Sequence, residues 1–110
     1  MPANNGTTYT YTSVIDGNSA LDGSFTWTTP NPPTPGSLGG TYTLNSNTSQ
    51  SLTMGSPTVN GQQVSFTITV NGTVYTFSGN FNNGNNQFNG EVNPPGDPVG
   101  TGDDWTASAQ

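Results

Sequence analysis

The chain contains no lysine, no arginine and no histidine. Proteins that hold nucleic acid neutralise its phosphates with cationic side chains, so DNA and RNA are excluded as partners. Attraction to anionic lipid headgroups needs the same cations, and membrane association is not expected. Schiff-base lysines, histidine general bases and Ser-His-Asp triads have no residues to build them. Cysteine is missing as well, which removes disulfides and thiolate metal sites. No apolar run approaches the length of a membrane-spanning helix, and no segment carries helical periodicity.

What is present is small, polar and aromatic. Six acids set a net charge of −6 against abundant Asn, Thr, Gly and Ser. Such an acidic, cysteine-free, charge-poor composition matches extracellular or cell-surface proteins. The opening MPANNGTTYT has neither the basic n-region nor the apolar h-region of a signal peptide. Export would therefore need a leader already removed, or another route. The 110 residues are read as one all-β domain, residues 1–110. A chain of this size buries roughly two-thirds of its unfolded surface, enough for one core without staples.

Alternation sets the architecture. In VSFTITVNGTVYTFSGNF (Val64 to Phe81) the apolar residues alternate on both sides of Asn71-Gly72. A two-residue turn there places Phe66 opposite Phe77, Ile68 opposite Tyr75 and Val64 opposite Gly79. Register and hydrophobic pattern then agree, as a half-buried hairpin requires. The same test pairs Phe81 with Phe88 and Gly79 with Gly90 around NNGNNQ. It pairs Tyr11 with Phe25 and Tyr9 with Trp27 around DGNSA. Around Asn45 to Gln50 it expects Tyr42 opposite Met54 and Leu44 opposite Leu52. At Val59-Asn60-Gly61 parity demands one extra residue, so a three-residue loop with a G1 bulge at Gly61 is expected, setting Met54 opposite Phe66.

The expected strands are 7–15, 21–29, 40–46, 50–57, 62–70, 73–81, 87–93 and 103–109. Eight antiparallel strands in a meander, with one apolar face, close most simply into an up-and-down barrel. A two-sheet sandwich stays open, because the Pro-rich links Thr28 to Gly40 and Asn93 to Asp103 are long enough to cross between sheets. The pattern resembles the architecture of avidin-like and lipocalin-like barrels. SALDGSFTW (Ser19 to Trp27) is similar to the texture of an early avidin hairpin. The middle strands have no tryptophan and the N-terminal Gly-x-Trp of lipocalins is missing, so no family site residue carries over.

Chemistry has few places to sit. Tyr9, Trp27 and Tyr42 are expected at one barrel end, covered by Pro30 to Pro35. There they form either an aromatic rim that stacks on a sugar or other flat ligand, or a plug of core rings. Asp97, Asp103 and Asp104 are the densest acid cluster and the candidate calcium ligands, the alternative being turn chemistry. DGNSALD offers a second oxygen set in Asp16, Asn18 and Asp22. Paired carboxylates of a glycosidase would have to be Glu91 with Asp103 or Asp104. The Thr-rich outer face is read as β-propensity, a self-association surface or an ice-binding array. These readings converge on a non-enzymatic, lectin-like module that binds carbohydrate or a small molecule at one barrel end. A structural or self-assembling surface protein, active as a homo-oligomer, is the alternative. No cofactor is expected beyond calcium.

Overall fold

The computed structural model describes residues 6–29, 38–82, 84–98 and 100–109. Among these residues nine strands follow one another: β1 (Thr7–Ile15), β2 (Gly23–Thr29), β3 (Leu38–Leu44), β4 (Ser51–Thr53), β5 (Gly55–Asn60), β6 (Gln63–Val70), β7 (Thr73–Asn82), β8 (Gln87–Asn93) and β9 (Asp103–Ala109). They form one antiparallel sheet in the order β4-β3-β2-β1-β9-β8-β7-β6-β5. Every neighbour is sequential except the first and last strands, which pair along Tyr11–Ala109 to Ile15–Trp105. The sheet's two nominal edges, β4 and β5, are consecutive in the chain and separated only by Met54. One passage of chain thus serves both edges and nearly closes the barrel. This is the meander barrel expected from alternation, and the sandwich is ruled out.

The ninth strand arises from a break in the expected fourth one. Ser56 sits at φ 46°, and the register of β5 against β6 shifts between Gly55 and Thr58. Pro57 has no N–H for the ladder, so a bulge is where a strand accommodates it. The bulge supplies the extra residue that parity demands, but not at Gly61. Asn60 instead pairs with Gln63, leaving a two-residue turn at Gly61-Gln62 with Gly61 at φ 63°. The three-residue loop is therefore corrected, and Gly55 rather than Met54 is registered near Phe66, opposite Thr67. In the β3–β4 hairpin Tyr42 faces Leu52, not Met54. This slip of two residues keeps every side chain on its expected face. A short 3₁₀ turn, Ser19–Leu21, replaces the start of the expected second strand.

The other registers stand as read. Phe66 pairs with Phe77, Phe81 with Phe88 and Tyr9 with Trp27. Inward residues fill the barrel with rings rather than leaving a lumen. Phe66 stacks on Phe77 with centroids 5.0 Å apart, and Tyr11 meets Phe88 edge-on at 4.8 Å. Trp27 meets Phe81 edge-on at 4.7 Å. Such pairs add about 0.5–1.5 kcal/mol each beyond area burial.

Candidate functional site

The expected aromatic rim is only partly assembled. Tyr9 and Trp27 are cross-strand partners. Trp27 is buried, however, and Tyr9 half-buried. Tyr42 is not with them. It pairs with Phe25, and its buried hydroxyl donates to the Leu21 carbonyl at 2.7 Å, toward the DGNSA end. The proline cover, Pro30 to Pro35, lies outside the described residues.

The acids are not brought together either. No three acidic side chains among the described residues form a group fit for a metal ion. Asp103 and Asp104 are consecutive in β9 and so point to opposite faces. Asp97 stands exposed in the following-strand link. In the second oxygen set, the Asp22 Oδ1 accepts from the Ile15 N–H at 2.8 Å, which ties the turn down. The calcium trio is therefore not gathered by the fold.

Glu91 does meet Asp104 as a direct cross-strand neighbour. Its carboxylate is already engaged: Oε1 accepts from Gly100 N–H at 2.7 Å and Oε2 from Gly102 N–H at 2.9 Å. These bonds, Gly102 first, hold its pKa below the ordinary value. Glycoside hydrolysis needs one carboxyl kept protonated as general acid, and Glu91 is driven the other way.

A different site emerges on the outer face of β5 to β8. It is an open cleft of about 710 Å³. One wall is a rank of amides, one from each strand: Asn60, Gln63, Asn80 and Asn89, registered in succession. The other wall is the rank two residues further along each strand: Thr58, Ser65, Ser78 and Glu91. Between them the floor is backbone, at Val64, Gly79 and Gly90.

The two glycines make the cleft. Gly79 and Gly90 are paired at inward positions. A Cβ on Gly79 would run into the Asn89 carbonyl and the Gly90 Cα, and one on Gly90 into the Ser78 carbonyl. With no side chains between them and the core, the strands draw in at this point. The next inward residue in the row, opposite Gly90, is Trp105, and its buried indole occupies the interior. The outer surface is left concave where a barrel is ordinarily convex.

The four amides hydrogen-bond to no other side chain among the described residues, whereas Thr58 and Ser65 bond each other. Among the described residues no aromatic side chain lines the cleft. Alternation alone does not flag this site. Its sequence signal is the deduced pairing of two inward glycines, Gly79 and Gly90, flanked by Asn80 and Asn89. No family model matches the chain, and neither the curated proteins nor the solved structures contain a match to it.

Proposed function

We propose that this chain is a non-enzymatic, lectin-like module that binds neutral carbohydrate in the outer cleft of β5 to β8, rather than at the barrel end. The observation that carries this reading is the rank of four amides, bonded to no other described side chain, facing three hydroxyls and the Glu91 carboxylate across a backbone floor. An amide offers both donors and an acceptor, as a sugar hydroxyl does, so each side chain can serve neighbouring hydroxyls at once. The absence of cations and the net charge of −6 disfavour anionic ligands. Hydrogen bonds without aromatic stacking give modest affinity per contact, which suits a surface module working at high local ligand density. An extracellular or cell-surface setting fits such a ligand. The test is calorimetric titration with a panel of neutral saccharides. Asn80→Ala should weaken binding while leaving the thermal melt unchanged; a panel that gives no heat in the parent ends the reading.

A second reading, a self-assembling surface protein, is favoured by one observation. Ser108, Thr12, Ser24, Thr43 and Ser51 form an uncharged hydroxyl row across β9, β1, β2, β3 and β4. Lysine, a common blocker of edge pairing, is not available to it. Concentration-dependent homo-oligomers that dissociate on Ser24→Glu or Thr43→Glu would favour this reading; a monomer at all concentrations would remove it.

A further inference from the structure

We propose that the cleft takes an unbranched, equatorially linked neutral glycan whose chain axis runs across the strands, one sugar unit over each of β5 to β8. This inference rests on the carbohydrate reading above and narrows it to a ligand class.

The two walls repeat with the sheet. Each strand contributes one residue to each wall, so the recognition groups recur at the interstrand distance of about 4.8 Å. That is close to the length of one pyranose unit in an extended chain. A ligand with the same repeat meets an amide at every unit: Asn60, Gln63, Asn80, then Asn89. A ligand without a repeat uses one amide and leaves three idle.

The width of the cleft selects the linkage. On each strand the two wall residues are two positions apart, roughly 6.7 Å along the chain. Equatorial linkages give a flat ribbon whose hydroxyls project from both long edges. Laid over the floor, one edge faces the amides and the other faces Ser65 and Ser78. The floor itself suits a flat ribbon, because Val64, Gly79 and Gly90 stand at inward positions and present only backbone to the outer face. Helical or branched glycans put bulk where the two walls stand.

Charge narrows the class further. Among the described residues Glu91 is the one ionisable side chain lining the cleft, and its carboxylate oxygens accept from Gly100 and Gly102. It remains ionised, so chains bearing uronate or sulfate are repelled at the β8 end.

The experiment is titration of the intact chain with glucose and with β-1,4-linked glucose oligomers of two to six units, beside α-1,4-linked oligomers of the same lengths. The expected result is affinity that climbs with each β-linked unit up to about four and then levels. Asn80→Ala, at a surface position, should weaken the β-linked tetramer by about fivefold or more without altering the melting temperature. If glucose binds as tightly as the tetramer, or the α-linked series binds better, the ribbon geometry is wrong while carbohydrate binding stands. If no oligomer of either series binds, and the wider neutral panel is also silent, the carbohydrate reading falls with it.

Discussion

The Trp105 indole donates its Nε1–H to the Ser13 hydroxyl inside the barrel, between the last strand and the first. Both residues are buried. Nearby in the same core, the buried Tyr42 phenol donates to the Leu21 carbonyl. Two buried polar bonds thus tie β9 to β1 and β3 to the 3₁₀ turn within an otherwise aromatic core. The Trp105–Ser13 bond crosses the β1–β9 seam, the one pairing among the described strands that joins strands distant in sequence. Ser13→Ala takes away the partner of a buried indole N–H. The expected loss is about 1–3 kcal/mol, read as a lower urea midpoint at unchanged slope. A loss under about 0.5 kcal/mol would mean that the seam does not depend on this bond.

Gly79→Ala tests the origin of the concave face. The added methyl meets backbone atoms of Asn89 and Gly90, which cannot rotate away as a side chain can. Overpacking of this kind costs about 1–3 kcal/mol or more. Thr26→Ala, on the exposed face of β2, is the control and should stay within about 0.5 kcal/mol. Equal melting temperatures for the two variants would show that the strands are not held in contact at Gly79.

Alkaline unfolding should begin near the ordinary tyrosine range. Burial raises the pKa of Tyr11 and of Tyr42 above their ordinary value near 10. The unfolded chain therefore releases these protons first. Stability from both groups is complete below about pH 10 and declines as pH rises beyond it. Tyr42→Phe should make the alkaline limb shallower while lowering stability at neutral pH. Denaturant midpoints measured from pH 8 to 12 would reveal this; an unchanged slope contradicts the assignment.

At the acid end the sign reverses. The N–H groups of Gly102 and Gly100 keep the Glu91 pKa below its ordinary value, so its contribution is present above about pH 4.3. It is lost as pH falls through the lowered folded value. The part affected first is the link after β8, which these bonds fasten. Glu91→Gln should speed hydrogen exchange at the Gly100 and Gly102 amides at neutral pH. Exchange as slow as in the parent would mean that the loop is held by other contacts.

Hairpin existence and facing were legible because alternation and turn chemistry point the same way. Asn71-Gly72 fixes the pairing of Phe66 with Phe77 without any tertiary information. Parity, however, reports only odd and even. An extra residue restores the apolar face equally well at Gly61 or at Ser56-Pro57, and the proline decides for the second. A slip of two residues in the Tyr42 hairpin changes no face, so the pattern is blind to it. The same blindness hides which end of the barrel a ring's hydroxyl reaches, which separates Tyr42 from Tyr9 and Trp27. Asn86 is a further case. It sits buried in the NNGNNQ loop and accepts the Tyr11 hydroxyl proton, although a run of asparagines reads as solvated turn. Gly79 and Gly90 lie on the inner face by parity, yet only their close approach in three dimensions turns them into the floor of a cleft.

Trp27→Phe separates the two places where a ligand has been expected. Trp27 is packed against Phe81 and Phe88, at 4.7 and 5.3 Å between centroids, with almost none of its surface exposed. A smaller ring leaves a void that the surrounding side chains only partly fill, and large-to-small changes in a core are costly for that reason. The expected effect is a stability loss of about 1–3 kcal/mol with saccharide affinity unchanged at a temperature where the variant is folded. Asn80→Ala, at the exposed wall of the cleft, should do the reverse: affinity falls and the melt stays put. Measuring both properties on both variants gives a crossed pattern that neither a general loss of folding nor a general surface effect can imitate. If Trp27→Phe weakens binding while Asn80→Ala does not, the ligand sits at the barrel end beside Tyr9, and the outer cleft is only the polar back of a bent sheet.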